Sequence, residues 1–518
     1  MRDWVWNRRG EVVAATIGLI LAGCNGSSGD TEASAGTQGS TGAGASSSSS
    51  GASTGATSTP TGSGEEEGSN TAGMTTSTSP TTGTSDPTTS TSDPTSGTTG
   101  AGTTTGTTSG VMPETTSSTG DGTSSTGAES STGEGSSSTT GGPPPKCEPG
   151  DGMGMGMIDK SYIWIASENS NDVSKVDTLT MTELARYRTG PGGESPSRTA
   201  VSADGRFVVV NNRQTGRSTM IAANQPDCVD KNGNGQIDTS KNKGDLMNWG
   251  ADECVRWSIT LPFQGQWHHG PRGVTWTPGE WSYDECKYVK PKVWLGYMSN
   301  APGNTTVHLI RVDGVSGVVE ETIPVPNWNG SGFAPYGAAL DPQFRPWFSS
   351  LRGEFVRVNT DANPITITRY TPPGNVQSYG FTVDKDGNPW FGGNCGPVTV
   401  FDVKTQTYVS VPGTQNGCWR GVTGDENYLW AANNSPCGFS QIDLASRTLI
   451  KNWSTNPCST AIGFSIDIEK KVWLVNQGGF AWKFDPEDVL GMKKIDVAGS
   501  HYVYSDMTGG QVLSILPQ

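Results

Sequence analysis

From Tyr162 onward, short apolar runs alternate with turns rich in Gly, Asn and Asp, a pattern of strands rather than helices. The runs recur. Tyr336-Gly337-Ala338-Ala339-Leu340-Asp341, Tyr379-Gly380-Phe381-Thr382-Val383-Asp384, Arg420-Gly421-Val422-Thr423-Gly424-Asp425 and Ile462-Gly463-Phe464-Ser465-Ile466-Asp467 are four versions of one segment. Each is followed by a turn and a run around a tryptophan: Trp347, Trp390, Trp430 or Trp473. Trp294 and Trp164 hold the same place in two further copies. A third run ends at Asp177, Asp313, Asn359, Asp402, Asp443 or Asp485, and a polar fourth run closes each unit. Four short strands repeated roughly every 40 residues predict the blades of a β-propeller. A lone blade leaves its apolar faces bare, whereas blades packed around an axis cover one another.

The two ends of this region complement each other. Residues 161–190 supply three strands with no innermost strand before them. Tyr502-Val503-Tyr504-Ser505-Asp506 looks like an innermost strand with nothing after it. Joined, they make one blade, and six complete units lie between about residues 196 and 499. The expected fold is therefore all-β, a seven-bladed propeller over residues 147–518 latched by its own termini. An open solenoid or a pair of sandwiches would leave the split unit unexplained.

The chain before residue 147 is a different material. Residues 25–146 are nearly all Ser, Thr, Gly, Ala, Pro and Glu. They hold too little apolar surface to offset the entropy of ordering, so they read as a disordered tether. At about 5–6 Å × √n, such a tether reaches on average about 60 Å. Residues 1–24 carry Arg2, Arg8 and Arg9 ahead of an apolar run from Val12 to Ala22, too short to span a bilayer as a helix. Leu21-Ala22-Gly23-Cys24 resembles a bacterial lipobox. That resemblance implies acylation of Cys24, a membrane partner through a lipid anchor, and a lipoprotein of the cell envelope. Asn25 after the cysteine favours the outer membrane.

The net charge of −15 argues against nucleic acid as a partner. Nine cysteines less Cys24 leave an even number in an exported chain, so disulfides are expected. Cys395 and Cys437 share one repeat position, and Cys418 and Cys458 share another on the same propeller face. The expected pairs are Cys395–Cys418 and Cys437–Cys458, with Cys418–Cys437 also possible. Cys228 pairs with Cys254, and Cys147 with Cys286 by elimination. Each loop of about 20 residues makes its bond worth about 3 kcal/mol in the chain-entropy picture.

The segment at about 226–256 interrupts the second blade with Asp230, Asn232, Asn234, Gly235, Gln236, Ile237 and Asp238, spaced D-x-N-x-N-G-x-I-D. Oxygen side chains at alternate positions converge around the glycine turn, with the Gln236 carbonyl as a further donor. The pattern predicts a structural Ca²⁺. Its twelfth position is Lys241 rather than Glu, so a bidentate carboxylate must come from Asp252, Glu253 or Asp245. The alternative is a Gly/Asn turn without metal.

The residues that enter the innermost strands should crowd one mouth of the axial channel. They are Arg272, Tyr336, Tyr379, Arg420 and Ile462, with His501 at the latch and Ser197 or Arg198 in the second blade. Trp267, His268 and His269 enter the third blade on the same face. Arg, Tyr and His on an otherwise acidic chain can funnel a polar or anionic aromatic ligand, or plug the channel and bond to one another. No H-E-x-x-H, G-x-S-x-G or phosphate loop is present, so no catalytic residue is identified.

The repeated (Tyr/Arg)-Gly-x-x-x-Asp, Trp and Phe-Asp elements resemble those of virginiamycin B lyase-like and NHL-type propellers. The lipobox, tether, propeller and Asp/Asn loop together resemble surface lipoproteins of myxobacteria. The resemblance implies a propeller and, in the lyases, a His and Glu set with Mg²⁺ that opens a cyclic depsipeptide. No such set matches here residue by residue. The leading expectation is a surface-anchored binding or scaffold module for a protein, glycan or small molecule. The alternative is a lyase or hydrolase at the channel mouth, with His268, His269 or His501 as general base.

Overall fold

The structure is a computed structural model. It describes residues 160–263, 266–299, 305–374 and 376–515, and the backbone of a short ladder between Asp3–Trp6 and Val12–Ala15. Cys24, residues 25–146 and Cys147 lie outside the described residues. Chain contacts separate two units, Met1–Ser28 with Thr140–Gln518 and Gly29–Thr139; the blades all belong to the first.

Six four-stranded antiparallel sheets and one three-stranded sheet form a seven-bladed propeller. Blade 1 holds Tyr162–Ser167, Asp172–Asp177 and Thr182–Arg188. Blade 2 runs from Pro196 to Thr260 and blade 3 from Val274 to Val325. Blades 4 to 7 span Gly337–Tyr370, Gly380–Ser410, Trp419–Trp453 and Ala461–Asp496. Between its first two strands blade 3 carries an extra hairpin, Glu280–Ser282 with Lys287–Val289, which the repeat pattern did not predict.

The repeated Asp and Trp are partners. The indole N–H of Trp347, Trp390, Trp430 and Trp473 donates to Asp341, Asp384, Asp425 and Asp467 at 3.0, 2.8, 2.8 and 2.9 Å. The other oxygen of each Asp accepts backbone N–H groups of the intervening turn, such as Asp386 and Asn388. One carboxylate thus satisfies a turn and a buried indole together. Burial pushes the Asp384 and Asp425 carboxyls up, against the pull of these donors.

The repeated glycine marks where innermost strands meet. A Cβ on Gly380 would lie 1.9 Å from the Arg420 carbonyl oxygen, and one on Gly463 would lie 2.1 Å from that of Val503. The second contact crosses into the C-terminal segment, so the latch occupies the innermost place of blade 1. Trp164 N–H donates to the Met507 carbonyl and Glu168 N–H to that of Ser500, both at 2.9 Å. His501 bridges Ser167. On the far side, Ser505 Oγ donates to the Thr199 carbonyl at 2.6 Å and accepts the Thr199 N–H at 2.9 Å.

The latch departs from the other blades in register. Opposite the positions equivalent to Ser167 and Trp164 stand Pro196 and Ala200 in blade 2, Trp419 and Thr423 in blade 6, and Ala461 and Ser465 in blade 7. In blade 1 they are His501 and Met507. The latch is therefore two residues longer between the same anchor points.

Beyond it, Gly510–Ile515 forms a short helix across the end of the channel opposite the mouth. Val512 and Ile515 pack with Ala203, Leu340 and Phe344, and Gln511 donates to Thr382 at 3.3 Å. Asp506 accepts the N–H groups of Thr508 and Gly509 ahead of this helix. Burial raises its carboxyl to about 6 even so.

Three of the expected disulfides are present: Cys228–Cys254, Cys395–Cys418 and Cys437–Cys458. The last two join each blade's middle turn to the entry of the next, stapling blades 5, 6 and 7 at the mouth face. Cys286 is also disulfide-bonded. Among the described residues no helix is long and apolar enough to cross a membrane.

Candidate functional site

Strand direction alternates within each blade, so the entries to the innermost strands and the turns between second and third strands share one face. Arg272, Tyr336, Tyr379 and Arg420 all lie there, as the repeat requires. So do Glu168, Arg213, Phe333 and Tyr502, which the repeat pattern did not single out.

A cluster of tyrosines fills the axis. Tyr336 and Tyr502 hydroxyls lie 2.7 Å apart, Tyr379 hydrogen-bonds to the same Tyr502 hydroxyl, and the Tyr504 hydroxyl is 3.4 Å from it. The Tyr336 ring stands 5.3 Å from that of Tyr379 and 6.0 Å from that of Tyr504. Tyr336 and Tyr504 are buried, whereas Tyr379 and Tyr502 are half-buried.

Guanidinium groups surround these rings. Of the two blade 2 candidates, Arg198 reaches the axis. Its guanidinium lies 3.2 Å from the Tyr504 ring centroid and 5.1 Å from that of Tyr336. Arg272 lies 5.5 Å from the same Tyr336 ring and 4.9 Å from Trp267, and Arg420 lies 4.2 Å from Tyr379. Arg213 sits over Tyr502 at 4.5 Å and is ion-paired to Glu168.

Arg198 and Arg272 are 1% and 0% exposed. Among the described residues no carboxylate pairs with either. Arg198 Nη1 donates to the Ser197 carbonyl at 2.8 Å, and Arg272 Nη1 to the carbonyls of Trp267, His268 and Gly270 at 3.1, 3.2 and 3.4 Å. The Nε and Nη2 atoms of both are buried without partners. Burial lowers Arg272 to about 10. Burial also pushes the Tyr336 phenol up, but Arg198 and Arg272 more than offset this and hold it at about 8. The Tyr379 and Tyr504 phenols are raised well above their ordinary value, chiefly by burial.

The 267–270 loop walls one side. Trp267 is 44% exposed and packs edge-on against Phe333 at 5.7 Å. Gly270 lets the loop close on blade 2, since a Cβ there would lie 2.0 Å from the Arg213 carbonyl oxygen. The His268 ring is tilted against Phe333 at 5.5 Å and edge-on to His269 at 4.3 Å. Burial, His269 and Arg272 lower His268 to about 4, so it is neutral at pH 7 and only a weak base. His501 is fully buried, with Nε2 2.9 Å from the Val497 carbonyl oxygen. The longer latch brings Tyr502, not His501, into the tyrosine cluster.

The second candidate, the 230–238 loop, lies between Ala222 and Val255 on the opposite face. Asp230 accepts the N–H groups of Gly233 and Gly235 at 2.7 and 2.8 Å, which hold its carboxyl low. Asn232 and Asn234 donate to Asp238 at 2.8 and 3.0 Å. Gln236 N–H donates to Asn234 at 2.8 Å. Glu253 accepts the N–H groups of Lys231, Asn232 and Asp238, and Asp252 those of Ser240 and Cys254. Asp245 accepts the Lys241 N–H. The loop is thus drawn together, while the carboxylates expected to complete a cation shell strap the backbone instead. Among the described residues no three His, Cys, Asp or Glu side chains converge as metal ligands.

No family model matches the chain, and no curated protein matches it in sequence. Solved structures with similarity include a catalytically inactive virginiamycin B lyase from Staphylococcus aureus with quinupristin, at 15% identity and TM-score 0.40, covering 58% of this chain and 84% of that one. Apo AztD from Citrobacter koseri is 11% identical, with TM-score 0.43 and coverage of 67% and 97%. Kuenenia stuttgartiensis hydrazine synthase is 12% identical, with TM-score 0.43 and coverage of 66% and 94%.

An unpaired buried guanidinium weakens a fold, so replacing it with an apolar chain of similar length should not. Thermal unfolding of the full chain should show Arg198→Met at or above the wild-type melting temperature. Arg369→Met, which takes the charged partner from buried Glu354 and leaves it the Asn329 N–H, should cost roughly 1–2 kcal/mol. A comparable loss in Arg198→Met would make Arg198 a structural plug.

Proposed function

We propose that the propeller is a binding module that takes up a small ligand at its axial mouth. The observation that carries this reading is a pair of buried basic groups under a partly exposed aromatic rim. Arg198 and Arg272 lie buried beneath the mouth, Trp267, Phe333, Tyr379 and Tyr502 form its partly exposed rim, and the helix 510–515 covers the far end. Such a mixture of apolar body contacts and a few convergent polar groups is how small-molecule sites are built. The module would be held at the cell envelope, in the outer membrane, by acylated Cys24 and the tether of residues 25–146. Enzymatic action has less support, because two of its three candidate bases, the weakly basic His268 and the enclosed His501, are poor proton acceptors.

A thermal-shift screen of the full chain against small carboxylates, phosphates, sugars and amino acids tests this reading. At least one class should raise the melting temperature of the wild type and not that of Trp267→Ala. A flat screen, or shifts indifferent to Trp267, would contradict it. Turnover of a cyclic depsipeptide that is lost in His268→Ala would favour the lyase reading.

We also propose Ca²⁺ at the 230–238 loop, held by Asp230, Asn232, Asn234, Asp238 and the Gln236 carbonyl, with the two Asn amides turning their oxygens inward. Its role would be to fasten the insertion. Chelator should then lower the melting temperature, and added Ca²⁺ should restore it. An unchanged transition would contradict the metal and leave the insertion fastened by its carboxylate straps and the Cys228–Cys254 bond.

A further inference from the structure

The mouth holds an imbalance that its own residues do not correct. Two guanidinium groups lie around one ring, that of Tyr336, at 5.1 and 5.5 Å from its centroid. Both are essentially sealed from solvent. Each spends one nitrogen on backbone carbonyls, and each leaves Nε and Nη2 without a partner. Buried polar groups are nearly always hydrogen-bonded, and buried cations nearly always face an anion. Ring faces attract a guanidinium but accept its N–H groups poorly, so the tyrosines lower the cost without removing it. The Tyr336 hydroxyl is turned to Tyr502.

Other arginines of the propeller sharpen the contrast. Arg213 has Glu168, Arg345 has Asp341, Arg369 has Glu354 and Arg447 has Asp402. Arg420 has the Asn394 carbonyl oxygen at 2.8 Å. Of these arginines, Arg198 and Arg272 are the least exposed, and they alone have buried nitrogens without an acceptor. A guanidinium edge made of Nε and Nη2 is a two-pronged donor, matched in spacing to two oxygens of a carboxylate or phosphate.

We infer that the unpaired edges of Arg198 and Arg272 are held for the oxyanion of a ligand, a carboxylate or a phosphate, which reaches them when the half-buried Tyr502 yields and whose apolar or aromatic body extends outward along Trp267 and Phe333. This rests on the mouth being a binding site and specifies the class of ligand it takes. Tyr336 presents its ring to both cations, while the hydroxyls of Tyr336, Tyr379 and Tyr504 all turn to that of Tyr502. Arg272 has a second task. Its Nη1 ties down the 267–270 loop, so the group that meets the anion also sets the position of the aromatic wall.

Isothermal titration calorimetry on the full chain, in a buffer of low chloride, tests this with three probes: benzoate, phenyl phosphate and the neutral isostere benzamide. Benzoate or phenyl phosphate should bind at one site per chain, and whichever is tighter identifies the oxyanion preferred. Benzamide should bind at least about tenfold more weakly, because it offers one acceptor and no charge. Arg198→Met should weaken the anion at least about tenfold. Arg272→Lys, which keeps the charge but loses the fork, should weaken it by a similar factor. Benzamide binding as tightly as the anions, or anion affinity unchanged in Arg198→Met, would overturn the assignment. If such charge-blind binding were still lost in Trp267→Ala, the mouth would remain a binding site for a neutral ligand. Failure of all three probes to bind would overturn the oxyanion grip, leaving the wider screen to decide the binding reading.

Discussion

Two backbone hydrogen bonds, from Trp164 to Met507 and from Glu168 to Ser500, close this ring. Without them blade 1 would be a three-stranded sheet with its inner edge bare, and the packing of blade 7 on blade 1 and of blade 1 on blade 2 would lose its inner rim. Sheet-on-sheet burial stabilises a propeller only when every blade has two neighbours. Polar contacts at the mouth follow the same seam: Glu168 of blade 1 binds Arg213 of blade 2, Gln477 of blade 7 and Ser500 of the latch.

The latch also decides what the mouth contains. Its two extra residues let Tyr502 and Tyr504 stand at the axis, where the other blades contribute one residue each. Tyr504 then meets Arg198 at 3.2 Å, and Tyr502 gathers the hydroxyls of Tyr336 and Tyr379. The closing strand and the candidate site are one piece of chain. Anything that binds in the mouth therefore bears directly on the seam that holds the ring shut.

The blades were legible in the sequence because their geometry is written at fixed spacing. Gly380 is required where the Arg420 carbonyl approaches, and Asp384 where a turn and the Trp390 indole need one acceptor. Each repeats at its place in blades 4 to 7. The Cys395–Cys418 and Cys437–Cys458 bonds were legible for the same reason, since both join the same two repeat positions. Blade 2 was harder. A bulge between Pro196 and Arg198 leaves both Ser197 and Arg198 in reach of the axis by spacing alone, and only the fold shows which side chain gets there. The latch misled in register. Counting back from Asp506 aligns His501 with Ile462, but Asp506 is occupied ahead of the terminal helix rather than bracing Trp164, whose indole N–H is left without a partner. The six-residue helix itself carries too short a pattern to be read.

Amide hydrogen exchange at Trp164 tests the closure most directly. If the C-terminal segment completes blade 1, the Trp164 N–H is an interior hydrogen bond donated to Met507. It should exchange as slowly as the amide of Trp473, which stands in the same register of blade 7 opposite Ser465. Exchange at the rate of an unpaired strand edge, with Trp473 still protected, would mean that the C-terminal segment does not close the ring, and the tyrosine and arginine cluster would lose its basis.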